Sequence, residues 1–253
     1  ALNDKNNIFE GIDTTWNRIK GGAAIGELIQ RTLKEYDFKN PALSISNLVK
    51  AYSMIQLLED QHWKIIKIEE LKKVIAACSG LYLEGVAENQ TAIPNSTLNV
   101  KIEAINRSEN SLVLKNIISM PEGKNTSFNS ELKNNISLNT TLSIQLTDTV
   151  NYTNPYWLNE KGTVGMYRVD NQQNIGIPDV IREVKLVFNI EINGITIPFE
   201  RNVIYKYNDP TKGEIYNPLD IVPEITISII DKVSLFNSGK SKTIGVKIKA
   251  GKE

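Results

Sequence analysis

The chain has 253 residues, 41% of them hydrophobic, with 29 basic side chains against 29 acidic ones. That is enough apolar material for one large domain or two small ones. Zero net charge removes the electrostatic case for nucleic acid, which needs clustered cations, and gives no reason to expect an anionic membrane surface as partner.

Up to about residue 90 the apolar period is helical. In "GAAIGELIQRTLKEYDF", Ile25, Leu28, Ile29 and Leu33 fall on one face, and Asp13 or Thr14 is placed to cap a helix that Trp16 would dock. "NPALSISNLVKAYSMIQLLED" repeats the pattern through Ile45, Leu48, Val49, Tyr52 and Ile55. Pro41 suits its start, and Ser44 or Ser46 its cap. "WKIIKIEELKKVIAACSGLYLEG" predicts a third helix through Ile68, Leu71, Val74, Ile75 and Cys78, ending near Gly80 or running on to Gly85. Glu69 and Lys73 form an i,i+4 pair on its wet face.

Beyond residue 90 the period becomes two. "TLNVKIEAIN", "NSLVLKNIISM", "TTLSIQLTD", "GMYRV", "VKLVFNIEI", "ITIPFERNVIYKY", "EITISIID" and "TIGVKIKA" read as strands separated by turn residues. Asn193–Gly194 in "EINGITI" is a two-residue hairpin signal. The expected class is α+β: an N-terminal helical bundle segment over 1–90, then an immunoglobulin-like antiparallel β-sandwich over 91–222. The boundary is expected in "AENQTAIPNS". Residues 223–253 supply either the last strands or the start of a further β-domain. The opening "ALNDKNNIFEG" and the abrupt final strand read as the ends of a piece of a longer protein. No apolar run reaches the length of a membrane span.

Chemistry-bearing residues are few. The single cysteine, Cys78, allows no internal disulfide and reads as a packed thiol. The single histidine, His62, would have to serve any Ser-His-Asp triad, and one His with one Cys sixteen residues on is a poor start for a zinc site. The glycines of "KGGAAIGEL" read as a turn and cap, with an anion site at a helix start as the weaker alternative. Asp209, Glu214 and Asp220 cluster in "YNDPTKGEIYNPLDIVPE", where paired carboxylates would serve glycoside hydrolysis, although Asp209 before a proline also reads as a turn cap. Asn106, Asn135 and Asn151 open Asn-x-Ser/Thr triplets, most simply explained by the chain's richness in asparagine.

Two aromatic stretches stand apart. In "TNPYWLNEKG", Pro155 pushes Asn154 to extended geometry and presents Tyr156 and Trp157 among polar residues. Such rings serve as an internal plug, as a domain interface, or, with Tyr167, as a platform for sugar faces. In "GIDTTWNRIKGG", Asp13, Trp16 and Arg18 are candidates for a domain interface. Arg18 there would either reach a neighbouring pocket or make a structural ion pair.

Four phrases occur in an order that resembles a known family: "FEGIDTTWNRIKGGAAIG" (9–26), "GLYLEGVAE" (80–88), "NPYWL" (154–158) and "YNDPTKGEIYNPLDIVPEI" (207–225). The set resembles the region downstream of the catalytic domain in long bacterial LmbE-like (PIG-L type) de-N-acetylases. That family's metal motif, His-Pro-Asp-Asp-Glu with a later His-x-x-His, matches nothing here. The resemblance implies a non-catalytic portion of a zinc-dependent N-acetyl-sugar hydrolase. Zinc would belong to a catalytic domain outside this chain, with no cofactor in the chain itself, and the setting would be periplasmic or secreted. The expected partners are that catalytic domain and a glycan, not nucleic acid. Two rival readings remain: a carbohydrate-binding module using Tyr156, Trp157 and Tyr167, and a carboxylate-based glycoside hydrolase.

Overall fold

The computed structural model describes residues 11–251. It is an α+β chain with three α-helices: α1 (Ala23–Lys34), α2 (Ile45–Gln56) and α3 (Gln61–Cys78). The strands are β1 (Tyr82–Ala87), β2 (Thr91–Ala92), β3 (Thr97–Ile105), β4 (Leu112–Met120), β5 (Lys124–Leu132), β6 (Leu138–Gln145), β7 (Lys185–Ile192), β8 (Ile195–Asn202), β9 (Ile204–Asp209), β10 (Gly213–Pro218), β11 (Asp220–Ile221), β12 (Ile225–Ile229) and β13 (Val246–Ala250). Phe9 and Glu10, which open the first family-like phrase, lie outside the described residues.

The N-terminal segment differs from expectation. Neither Asp13 nor Thr14 caps a helix. Asp13 instead accepts from the Thr15 backbone N–H and hydroxyl at 2.8 and 2.6 Å, and Thr15 caps a short 3-10 turn over Trp16–Arg18. Trp16 then lies across α1 at Gly26, where a Cβ would come within 3.0 Å of the Trp16 Cβ. The glycine is the slot for the indole. Gly22 likewise lies under the Trp16 carbonyl, so these glycines serve close packing.

Along α1, Ile25 and Leu28 are buried as expected, but Leu33 is exposed and Thr32 is buried in its place. Thr32 tolerates burial because its hydroxyl donates to the Leu28 carbonyl at 2.8 Å. Pro41 opens a 3-10 turn (Pro41–Ser44) ahead of α2, and Ser44 at the cap position makes no side-chain capping bond. On α3, Asp60 caps through the Trp63 N–H at 3.1 Å. The ion pair is Glu69–Lys72, at 2.7 Å, rather than Glu69–Lys73. Gly80, at φ +55°, ends this helix. The Leu81 N–H returns to the Ala76 carbonyl and the Gly80 N–H to that of Ala77, the paired closure that a left-handed glycine permits.

Strands begin at Tyr82, inside the segment expected to be helical. A five-stranded sheet runs β10-β9-β1-β3-β6 and a four-stranded sheet runs β5-β4-β7-β8. Asn193 and Gly194 both take positive φ and close the β7–β8 hairpin as the sequence predicts. A bulge between Leu114 and Asn116 resets β4, so Leu112 and Leu114 point inward before it and Ile117 after it. Pro198 and Pro218 are tolerated because β8 and β10 are edge strands. "GMYRV" is not a strand; only an isolated bridge, Thr163 to Met166, forms there. β5 lacks an apolar stripe because "KNTSFNSEL" is polar; "ITIPFERNVIYKY" divides into β8 and the start of β9, and the edge strand β10 falls in the segment that reads as turn chemistry.

The expected boundary stretch is sealed rather than loose. β2 pairs in parallel with β11, and the Asp220 and Val222 N–H groups bond to the Gln90 and Ala92 carbonyls. One buried apolar cluster runs from Ile19 and the helices through both sheets to Ile221. Gly85 in β1 faces Leu186 in β7: a Cβ there would come within 2.3 Å of a Leu186 methyl. The helices are tied to loops at one end of the strands. The Asn110 side chain donates to the Ala42 carbonyl, the Arg107 N–H to that of Ser79, and the Asn193 amide to the Ser46 hydroxyl. Asn106 orders the β3–β4 loop from within. It is 1% exposed, donates to the Leu132 and Asn110 carbonyls, and accepts from Ser108, so its amide is unavailable to a glycan.

Candidate functional site

Residues 146–184 connect β6 to β7, and the sequence-predicted ligand residues Tyr156, Trp157 and Tyr167 all sit on its 151–184 part. Pro155 leads into a 3-10 turn over Tyr156–Leu158. The two rings of that turn meet edge to face, centroids 4.9 Å apart. Both are half-buried, and the Tyr156 hydroxyl accepts from the Gly176 N–H at 3.3 Å. Tyr167 is well exposed and is not part of this pair. It lies instead near Gly162, beside an exposed network in which Arg168 bonds Glu160 and Asp170, both at 3.1 Å. There Glu160 first and Arg168 next hold the Asp170 carboxyl below its usual range, while the shared hydrogen bond with Asp170 pushes Glu160 up.

Tyr156 lines a cleft of about 220 Å³. Its floor is apolar: Val184, Val203, Leu219 and Ile221 are all buried. Its mouth is pinned where the Thr153 N–H bonds the Ile221 carbonyl and the Ile221 N–H bonds the Thr153 hydroxyl, at 2.8 and 2.7 Å. Two charged side chains reach the cleft, and each already has a hydrogen-bond partner in the protein. Arg182 bonds the Leu219 carbonyl at 2.9 Å and the Asp220 carboxylate, and Glu183 takes the Asn151 amide at 2.6 Å.

The Asp13–Trp16–Arg18 trio does not converge on one point. Trp16 packs on α1, Asp13 serves its own turn, and the exposed Arg18 guanidinium stacks over the Trp63 ring at 4.6 Å. Lys67 approaches the same ring at 5.7 Å. Arg18 makes neither a carboxylate clasp nor an ion pair among the described residues.

The carboxylates of the 207–225 phrase divide by role. Asp209 is spent on its turn, accepting from the Thr211 N–H and hydroxyl and the Lys212 N–H, and these bonds hold its carboxyl below the usual range. Asp220 pairs with Arg182. Glu214 joins a cluster on the five-stranded sheet. There Lys206 pairs with Glu84 at 2.7 Å and Glu214 at 3.3 Å, and the Tyr216 hydroxyl donates to Glu214. Tyr216 first and Lys206 next hold Glu214 low, the opposite of what a general acid needs. Burial and the neighbouring Glu84 carboxylate raise the Tyr82 phenol, while Glu84 raises Lys206. The sequence offered no signal for Glu84 or Lys206, because "YLEG" and "IYKY" read as ordinary strand residues.

The residues present do not fit a zinc centre. His62 and Cys78 sit at opposite ends of α3, roughly 24 Å apart along its axis. Among the described residues no group of three or more His, Cys, Asp or Glu could hold a metal ion. Burial pushes the Cys78 thiol up, as a packed thiol requires. Among the described residues no helix is long and apolar enough to cross a membrane.

The helical layer carries an apolar groove of about 400 Å³ between α1, α2 and α3, lined by Ile29, Leu33, Tyr36, Leu48 and Val74. Phe38 and Leu43 also stand exposed on the connection between α1 and α2.

No family model and no curated protein matches the chain. Among solved structures, the Pseudomonas fluorescens alkylpurine DNA glycosylase AlkC, bound to DNA containing an abasic-site analogue, aligns with 63% of this chain and 44% of its own. The identity is 9% and the TM-score 0.23. This chain therefore spans less than half of that protein, and a likeness so loose carries no argument about fold or activity.

Proposed function

We propose that the chain is the non-catalytic scaffolding region of a zinc-dependent, LmbE-like de-N-acetylase of N-acetylated sugars. It packs on the catalytic domain through its helical layer. The observation that carries this reading is the apolar groove flanked by Leu33 and Val74. Exposed apolar surface of this kind marks a protein–protein interface, and the four ordered phrases supply the identity of the partner. In this reading the two sheets are the faces of an immunoglobulin-like sandwich, which the approach of Leu186 to Gly85 supports. Residues 223–253 then begin a further β-domain, and the setting is periplasmic.

The test is co-elution of this chain with a separately produced LmbE-like catalytic domain. Binding that is lost in Leu33→Asp/Val74→Asp supports the reading. Release of acetate from an amino sugar by the chain alone would overturn it.

A second reading, a carbohydrate-binding module, is favoured by the cleft beside Tyr156. A glycoside hydrolase built on Asp209 and Glu214 has less support, since one carboxylate caps a turn and the other is neutralised by Lys206.

A further inference from the structure

The 151–184 connection holds a cleft whose physical character specifies a ligand more narrowly than its aromatic residues do. Its floor of Val184, Val203, Leu219 and Ile221 offers only dispersion and hydrophobic contact. Around the rim stand amide side chains, Asn154, Asn159 and Asn174, each able to donate and accept. Of the two charges that enter the cleft, Arg182 is ion-paired with Asp220, and Glu183 keeps its charge but is engaged by the Asn151 amide. An anionic ligand would have to break the Arg182 pair, and a cationic ligand would have to displace Asn151 from Glu183. A cleft of about 220 Å³ is also smaller than those that enclose drug-sized molecules.

We infer that this cleft binds one neutral pyranose unit, its C–H face on the apolar floor beside Tyr156 and its hydroxyls on the Asn154, Asn159 and Asn174 amides. Trp157 does not touch the sugar in this arrangement. It buttresses Tyr156 edge to face and holds the ring that forms the wall. Tyr167 takes no part, because it lies outside the cleft lining. The assignment rests on the glycan-binding reading and is independent of the scaffolding role of the helices.

The test is an amide chemical-shift titration of the whole chain with methyl β-glucoside and N-acetylglucosamine, with glucuronate and glucosamine as charged counterparts. Saturable shifts confined to residues 151–184, 203 and 219–221 are expected for the neutral sugars. Asn154→Ala and Asn174→Ala should each weaken binding by about tenfold, the loss of one good hydrogen bond. Tyr167→Ala should leave affinity unchanged. Both asparagine variants remove exposed or half-buried rim amides, and an unchanged melting temperature verifies the fold. The inference is overturned if neutral sugars give no saturable shift, if the shifts lie elsewhere, or if glucuronate or glucosamine binds more tightly than its neutral counterpart. Co-elution with a catalytic domain would stand or fall separately, since no cleft residue lies in the helical groove.

Discussion

β7 and β12 carry nearly the same pattern and meet opposite fates. In β7, Leu186, Phe188, Ile190 and Ile192 alternate with polar residues or valine, and all four are fully buried. In β12, Ile225, Ile227 and Ile229 alternate with threonine and serine, and all three are exposed. The register with β13 sets Ile227 beside Ile248 and Ile229 beside Val246, so the ribbon presents one wholly apolar face. A two-stranded ribbon is marginal on its own, whereas a central strand inherits the stability of its sheet. Alternation therefore specifies a strand and its inner face, but says nothing about what covers that face.

Experiments can break or sharpen this contrast. The largest effect is expected at Phe188. Phe188→Ala should cost about 3–5 kcal/mol in urea unfolding, because a large buried ring is lost and a cavity remains. Next comes Lys206→Met, which strands the nearly buried Glu84 carboxylate. With Lys206 itself partly exposed, a loss of about 2–3 kcal/mol is expected, and Glu84→Gln in the same chain should restore much of it. Gly26→Ala should cost about 1 kcal/mol by pushing Trp16 off α1, read as a red shift in tryptophan emission. Ile227→Ser should change global stability by less than about 0.5 kcal/mol while lowering dye binding to exposed apolar surface. A loss as large as that of Phe188→Ala would mean the β12 face is covered in solution.

The pH dependence probes the five-stranded sheet. Asp209 and Glu214 have carboxyls lowered in the folded state, so the stability they contribute is present above their unfolded values, about 3.9 and 4.3. It is lost as pH falls through their lower folded values. The melting temperature should therefore drop below about pH 4, and Asp209→Asn should flatten that acid limb.

Much of the fold was legible because it follows from local rules. The three helices, the β3, β4 and β7 strands, the Asn193–Gly194 turn and the Gly80 stop all obey period, cap and turn chemistry. β5 was not legible, since a polar edge strand lacks an apolar stripe. β1 was hidden behind the end of α3, where "GLYLEG" satisfies both a helix continuing and a strand beginning. Of the site, the Tyr156–Trp157 pair was visible as an anomaly of composition. Val203, Leu219 and Ile221 were not, because they come from segments up to about seventy residues away in the chain.

By itself the sequence determined the α+β class, the positions of most elements and most of the residues that would face inward, because backbone preference and apolar period act over a few neighbours. Only the tertiary structure decided which inward faces are covered, which charges meet and where a cleft opens. Those outcomes depend on contacts between residues far apart in the chain, and no local pattern encodes them.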